Sequence, residues 1–256
     1  MRRLAAIAGF ALWPTIAEAA CRLALILALD VSGSVDRREY ALQMEGVAAA
    51  LDDDEVRRVL FAMPEAPVAL SVFEWSSASY QRIIQDWVLI SDEAVLDRVV
   101  TDLRDWRRMP APEATGLGAA LQFAYRHFRD APDCWDQTLD ISADGKNNDW
   151  PVPERLRRSG ELGKMTVNAL VVAPDFLVTY DQSGVGIRGL QQYFETNIIH
   201  GPGAFAEVAM GFDDYSRAMH LKLLRELATM PMGALPAPEP FRTAADGLRV
   251  KGPGPQ

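Results

Sequence analysis

The chain has 256 residues, 49% of them apolar and 24% charged, a composition typical of a globular protein with one large domain or two small ones. Its formal net charge is −9, and no cluster of Lys and Arg residues offsets that charge. Because nucleic acids bind basic surfaces, this charge argues against a nucleic-acid partner.

The first residues resemble a secretory signal peptide. Two arginines precede an apolar run from Leu4 to Trp13. Ala17 and Ala19 are the small residues that a signal peptidase needs, so we place the cleavage after Ala19. We therefore predict a signal peptide over residues 1–19 and a periplasmic or secreted protein. The apolar run is too short to be a membrane anchor, and no later segment is long and apolar enough to span a membrane. Lipidation of Cys21 is the alternative, disfavoured because Glu18 stands where lipoproteins usually carry an apolar residue.

The far end of the chain differs in composition. Residues 232–256 are rich in Pro, Gly and Ala and show no periodicity, so we predict a disordered tail after a domain that covers residues 20–231. The only cysteines are Cys21 and Cys134. An even number of cysteines in an exported chain suggests a disulfide, with two buried thiols as the alternative.

In chain order, the first predicted elements are a strand, a helix and a hairpin. The apolar run Leu23–Leu29 is too continuous for a half-exposed strand and too short for a helix, so it predicts a strand buried on both faces. Asp36 and Glu39 predict a capping box for the helix that follows. A polar turn separates the extended segments Val68–Trp75 and Arg82–Ile90, which predicts a hairpin.

Helices and strands then alternate to the end of the domain. The predicted helices run from Asp92 to about Leu103, from Leu117 to Phe128, from about Pro153 to Leu162, from Gly189 to Ile198, and from a cap at Asp213 or Asp214 to Leu227. The predicted strands are Trp135–Ser142, Thr166–Val172 and Phe205–Met210. This alternation predicts an α/β fold with an open, mostly parallel sheet and helices on both faces.

Oxygen-bearing side chains follow the first strand. Asp30, Ser32 and Ser34 stand at alternate positions where the strand ends, and Gly33 permits a tight turn between them. In open α/β sheets, ligands bind beyond the carboxyl ends of the strands. We expect Asp30 at a solvent-facing loop end, where the three oxygens can converge on a hard cation such as Mg²⁺. Alone, this motif also fits a strand end followed by a capped helix.

Two further residues fall at equivalent places. Thr115 precedes a predicted helix, and Asp144 follows a predicted core strand. Taken singly, Thr115 is typical of a helix N-cap and Asp144 of a turn before glycine. Together with Asp30, Ser32 and Ser34, they resemble the metal-ion-dependent adhesion site (MIDAS) of von Willebrand factor type A (vWA) domains.

The resemblance extends over nearly the whole chain, from about Cys21 to Leu227. In detail the sequence is most similar to a bacterial branch of that fold, a family of exported proteins of unassigned function. The stretches that carry this similarity are Leu29–Asp36, Phe73–Ser76, Asp140–Asn148 and Gly201–Phe205. One departure is Ala114, where the family pattern usually has glycine; it leaves every metal-side oxygen in place.

The resemblance implies the strand order 3-2-1-4-5-6. In that order the strands that follow Cys21 and Cys134 are parallel neighbours, so both cysteines would fall at the sheet edge opposite the metal, close enough for a disulfide. The resemblance also implies that Ser32, Ser34 and, in one state, Thr115 bind the cation directly, whereas Asp30 and Asp144 act through waters. Mg²⁺ is the expected ion, with Mn²⁺ or Ca²⁺ as alternatives.

The implied function is a protein-binding module and not an enzyme: a partner's Asp or Glu carboxylate would complete the coordination of the metal. The alternatives are a metal-dependent hydrolase of the phosphatase type and a scaffold protein with a vestigial metal site. Glu74, Trp75 and Trp150 are candidates for contact with the partner, because they end or follow strands at the same sheet edge. The three histidines do not fall at metal-ligand spacing.

Overall fold

The computed structural model describes residues 21–174 and 185–228. The predicted signal peptide (1–19) and the predicted tail (232–256) lie outside the described residues. The described part contains a six-stranded sheet with the order β3-β2-β1-β4-β5-β6. The strands are β1 (Cys21–Asp30), β2 (Val68–Trp75), β3 (Gln81–Ile90), β4 (Cys134–Ala143), β5 (Thr166–Val172) and β6 (Ala206–Ala209). β2 and β3 are antiparallel and the other neighbouring strands are parallel. The predicted sheet order and hairpin are confirmed.

Helices cover both faces of the sheet. They are α1 (Arg37–Asp52), α2 (Asp54–Leu60), α3 (Glu93–Asp105), α4 (Leu117–His127), α5 (Pro153–Ser159), α6 (Val185–Asn197) and α7 (Tyr215–Ala228). Buried side chains of α1, α2, α3 and α7 form one apolar core with the sheet, and those of α4, α5 and α6 form a second. The fold is therefore a doubly wound α/β sandwich of three layers.

β1 is the central strand of this arrangement. All ten of its residues are buried. Because side chains alternate across a strand, Leu25 and Leu27 enter the core beneath α1, whereas Ile26 and Ala28 enter the core beneath α4. A strand that is buried on both faces must be apolar at consecutive positions, which is why its sequence shows no alternation.

The structure differs from the predicted elements at α2 and at the end of α5. α2 was not predicted, because its buried apolar residues are only Val56 and Leu60, too few to reveal a helical period. α5 stops at Ser159, before the predicted end, because Gly160 adopts a left-handed backbone with φ of 79°. The capping box of α1 is present as predicted: Asp36 Oδ1 accepts from Glu39 N, and Glu39 Oε2 accepts from Asp36 N.

Cys21 and Cys134 form a disulfide. The two residues face each other in the parallel register of β1 and β4, with their Cα atoms 4.5 Å apart. They lie at the start of both strands, so the bond closes the sheet edge opposite the residues that follow β1 and β4. Since the cysteines are 113 positions apart in the sequence, the cross-link removes a large amount of entropy from the unfolded chain.

Charged side chains are buried between β4 and α7. Lys222 Nζ lies 2.8 Å from Asp140 Oδ1 and 2.5 Å from Glu226 Oε1, and Asp140 and Lys222 are both 0% exposed. Burial raises the pKa of Asp140 to about 7, against the lowering effect of the Lys222 charge. Burial thus favours the neutral form of Asp140 more than the Lys222 charge opposes it.

Removing the disulfide should destabilise the protein. We expect the double variant Cys21→Ser/Cys134→Ser to lose up to about 4–5 kcal/mol of unfolding free energy, the chain-entropy value for a loop of this length. Urea unfolding followed by circular dichroism measures the loss. Wild-type protein treated with a reductant should show the same loss, whereas equal stability of oxidised and reduced protein would contradict the cross-link.

Replacing Asp140 should change how stability depends on pH. The pKa of Asp140 rises from 3.8 to about 7 on folding, so its contribution is complete below pH 3.8 and is lost as the pH rises through about 7. In Asp140→Asn this loss is absent, and the unfolding free energy should therefore fall less across that range than in the wild type. Urea unfolding on both sides of pH 7 tests this. Asp136→Asn, an exposed position on the same strand, is the control and should follow the wild-type curve.

Candidate metal centre

Three loops meet at the carboxyl ends of β1 and β4. Asp30 is the last residue of β1, and Ser32 and Ser34 follow it. Thr115 lies two residues before α4, and Asp144 comes directly after β4. Because β1 and β4 are parallel neighbours, the loops that follow them leave the sheet side by side.

Hydrogen bonds between side chains connect four of the five predicted ligands. Ser34 Oγ donates to Asp144 Oδ1 at 2.7 Å, and the Oγ atoms of Ser32 and Ser34 are 3.3 Å apart. Thr115 Oγ1 donates to Ser32 Oγ at 3.3 Å. Asp30 joins through the backbone, since its Oδ1 accepts from Ser32 N at 2.8 Å. The structure thus brings the five predicted residues together in one polar cluster.

The expectation that Asp30 faces solvent was wrong. Its side chain is 1% exposed, whereas Ser34 is exposed at the mouth of the cluster. Asp30 stays buried because it still belongs to the central strand, whose neighbours cover it on both sides. Asp30 therefore lies at the floor of the site, and Ser34 lies at its open side.

The charges at this floor fit a cation. Burial and the nearby charge of Asp144 raise the pKa of Asp30 to about 8, and burial also raises the pKa of Asp144. Asp30 Oδ2 is buried and has no hydrogen-bond partner among the described residues. Such an oxygen is costly unless it meets a positive charge or a bound water. Two buried carboxylates beside three hydroxyl oxygens are a donor set suited to a hard divalent ion.

Glycines allow the loops to approach closely. A Cβ on Gly33 would lie 2.9 Å from Glu113 Cβ, and Gly33 N donates to Glu113 O at 2.9 Å. A Cβ on Gly116 would lie 2.8 Å from the backbone of Ser77. Gly33 lies in the tight turn that the sequence predicted, in which Val35 N donates to Ser32 O at 3.1 Å, and its missing Cβ also permits the contact between loops. The turn needs no left-handed backbone, since Gly33 is not among the glycines with positive φ in the described residues.

Asn148 holds the loop of Thr115, a role that the sequence did not reveal. Asn148 Oδ1 accepts from Thr115 N at 2.7 Å, and Asn148 N donates to Thr115 O at 3.0 Å. The next residue back, Asn147, accepts from Gly118 N at 3.2 Å. The only available signal was that both amides follow closely after Asp144. The segment after β4 therefore fixes the Thr115 hydroxyl relative to Asp144.

Glu74 and Trp75 do not present a surface to a partner, and this expectation is corrected. Glu74 is 1% exposed and Trp75 0%. Glu74 instead accepts hydrogen bonds from Tyr40 Oη at 2.9 Å and Tyr80 Oη at 2.8 Å. Burial and the Glu74 carboxylate raise the pKa of Tyr40, which keeps its phenol a donor. Residues that end an interior strand point into the core, so their position in sequence was misleading.

Trp150 is placed differently. It is 60% exposed and stands in the loop that follows Asp144, with the Arg155 guanidinium 5.4 Å from its ring centroid. An exposed aromatic side chain is a common anchor in protein interfaces. Trp150 therefore remains a candidate for contact with a partner.

His220 lies next to acidic side chains away from this cluster. Its Nε2 is 3.1 Å from Asp53 Oδ1 and 3.8 Å from Glu55 Oε2. The sequence did not predict this group, because α7 and the start of α2 are far apart in the chain. Asp53 already caps α2 by accepting from Glu55 N, so the contact acts as a clamp between the two helices.

A family model described as "Protein of unknown function (DUF1194)" matches residues 20–231. The chain belongs to this family. The predicted similarity to a bacterial family of unassigned function is thus confirmed. Among curated proteins, no relative matches the chain.

Solved structures share the vWA fold. Proximal thread matrix protein 1 from the mussel byssus, with a zinc-occupied MIDAS motif, has a TM-score of 0.56 at 14% identity, covering 82% of this chain and 49% of that chain. Von Willebrand factor type A from Catenulispora acidiphila has a TM-score of 0.55 at 16% identity, covering 81% of this chain and 43% of that chain. The pilus adhesin SpaC from Lactobacillus rhamnosus GG has a TM-score of 0.56 at 12% identity, covering 81% of this chain and 30% of that chain. The chain spans less than half the length of each of these proteins. At these identities, they establish the fold alone.

Loss of the Asn148 side chain should weaken metal binding. We expect Asn148→Ala to bind Mn²⁺ about three- to tenfold more weakly, since one hydrogen bond that positions Thr115 is removed. Calorimetric titration measures the affinity. Asn148→Asp keeps the accepting oxygen and should bind more tightly than Asn148→Ala. Asn197→Ala, at the end of α6, is the control, and wild-type affinity in Asn148→Ala would show that Asn148 does not serve the site.

Proposed function

We propose that this protein is a binding module that captures a protein partner through a divalent cation held by Asp30, Ser32, Ser34, Thr115 and Asp144. The observation that carries the proposal is the buried cluster of carboxylate and hydroxyl oxygens, in which Asp30 Oδ2 has no partner among the described residues. A cation that occupies this cluster relieves the repulsion between Asp30 and Asp144.

The chemistry of the ligands favours capture of a carboxylate. When bound, the ion would supply a Lewis-acidic positive charge at the site. Ser32, Ser34 and Thr115 contribute neutral hydroxyls, so they leave much of that charge uncompensated. Ser34 lies at the exposed side of the cluster, so an Asp or Glu of a partner can approach there. Mg²⁺ suits this oxygen donor set, with Mn²⁺ or Ca²⁺ as alternatives.

The comparisons support a metal-dependent adhesion module. One structure with this fold has a zinc-occupied MIDAS motif, and another is a pilus adhesin. The disulfide supports a location in an oxidising compartment, as the predicted signal peptide does, and we propose a periplasmic or secreted protein. No helix in the described part of the chain is long and apolar enough to cross a membrane.

The alternative function, that of a hydrolase, has less support. A serine–histidine pair exists, with Ser71 Oγ 2.9 Å from His127 Nε2. Ser71 is 0% exposed, and its hydroxyl donates to Gln85 O, while the rings of Trp87 and Phe123 stack on His127. Because a nucleophile must reach its substrate, this buried pair serves packing and not catalysis. Ser32 likewise occupies the place at which phosphatases of the Asp-x-Asp type carry their general acid.

Replacing Asp30 should abolish metal binding without unfolding the protein. Asp30→Ala removes an oxygen from the floor of the site, and it also removes the repulsion with Asp144 that helps to raise the pKa of Asp30. We therefore expect no binding of Mg²⁺ or Mn²⁺ in calorimetry, together with a thermal unfolding midpoint no lower than that of the metal-free wild type. Asp136→Ala, at the other end of β4, should bind like the wild type. Equal binding by Asp30→Ala would remove the site.

Capture of a partner tests the function itself. Proteins from an envelope extract should bind the immobilised chain in Mg²⁺ and be released by a chelator. Thr115→Ala should weaken capture more than it weakens folding, and replacing the partner's key acidic residue by Asn or Gln should release it. Capture that survives both chelation and Asp30→Ala would instead support a scaffold with a vestigial site.

A further inference from the structure

An open cleft lies beside the loop that carries Ser34. Its volume is about 840 Å³. One wall is the loop after β1 with the first turn of α1, and the other is the loop between α3 and α4. The lining residues are Val35, Asp36, Arg37, Tyr40, Arg108, Met109 and Pro110. Because Val35 directly follows Ser34, the cleft begins at the open side of the candidate metal centre.

Arg108 is held firmly in this cleft. Its Nη1 donates to Asp36 O and its Nη2 donates to Val35 O, both at 2.6 Å. Its guanidinium also lies 5.3 Å from the ring centroid of Tyr40, whose hydroxyl is anchored on buried Glu74. A guanidinium has five N–H groups, so these two bonds leave donors for a ligand. The arginine is thus positioned before any ligand arrives, which lowers the entropy cost of binding.

Arg37 adds a second positive charge. It is exposed, and no acidic side chain in the described part of the chain lies within ion-pair distance of it. The nearest carboxylate in sequence, Asp36, is occupied at the capping box, where it accepts from Glu39 N. With two arginines against the single carboxylate of Asp36, the lining of the cleft has a net charge of +1 (2 − 1), in a protein whose net charge is −9.

We propose that the captured segment carries two acidic side chains, an inference that rests on the proposed function. The first acid completes the metal coordination, and the second binds Arg37 and Arg108. Arginine pairs with carboxylates through parallel hydrogen bonds, so this cleft selects for charge and geometry together. Met109, which is 50% exposed, and Pro110 give the same segment an apolar contact. The partner chemistry is therefore an acidic peptide segment with two carboxylates, and not any single exposed carboxylate.

A random peptide library displayed on phage provides the probe. The library is selected on the immobilised full chain in Mg²⁺, and bound phage are eluted with a chelator. We expect enriched peptides with two acidic positions. A synthetic peptide from this pool should bind Arg37→Glu about tenfold more weakly than it binds the wild type, measured by fluorescence anisotropy. Arg37 is the first residue of α1, where glutamate favours the helix dipole, so the variant keeps the fold.

The peptide itself supplies the matched test. Replacing its second acid by the amide should lower its affinity for the wild type and make its binding insensitive to Arg37→Glu. Arg98→Glu, an exposed arginine on α3 outside the cleft, should bind both peptides like the wild type. Chelator-eluted peptides with a single acid, or equal loss in Arg98→Glu, would overturn this inference and leave the proposed function standing. Absence of any chelator-eluted peptide would overturn the proposed function and this inference with it.

Discussion

The parallel pairing of β1 with β4 determines the chemistry at both ends of these two strands. In that register Cys21 faces Cys134, and eight residues later Leu29 faces Ser142. The same pairing therefore joins the cysteines at one edge of the sheet and places the loops of Asp30 and Asp144 side by side at the other. A slip of the register would separate both pairs at once, because the positions are fixed relative to each other along rigid strands. The disulfide thus holds the pairing on which the candidate metal centre depends.

The cost of this pairing is a pair of like charges in a poorly hydrated place. Asp30 lies at the end of a strand that is buried on both faces, and its pKa rises to about 8 partly because Asp144 is close. Protonation and hydrogen bonds from serine hydroxyls reduce this repulsion, as the bond from Ser34 to Asp144 shows. A divalent cation opposes the repulsion more directly. The electrostatic cost of this site and the proposed binding of an ion there thus have the same physical origin.

Glu74 links the core to the surface beside this centre. Its carboxylate is buried and receives hydrogen bonds from Tyr40 and Tyr80, with Trp106 Nε1 at 3.3 Å. Tyr40 in turn lies beneath the guanidinium of Arg108, at the wall of the open cleft. The buried carboxylate of Glu74 therefore positions the ring of Tyr40, and that ring packs against the guanidinium of Arg108 at the surface. Buried side chains thus shape the cleft from below, since Tyr40 itself is only 5% exposed.

The sequence by itself determined the alternation of strands and helices, and its resemblance to vWA domains supplied the strand order and the members of the candidate centre. Uninterrupted apolar runs such as Leu23–Leu29 identify strands that are buried on both faces, and oxygen-bearing residues at strand ends identify the loops that meet. Only the tertiary structure decided what surrounds those residues. Asp30 is buried and Glu74 faces the core, and Asn148 reaches across to Thr115. Burial and contact depend on which elements pack above a residue, and these come from distant parts of the chain. The local sequence pattern shows the chemistry of a side chain and the strand or helix to which it belongs. It does not show the neighbours that determine the charge and the exposure of that side chain.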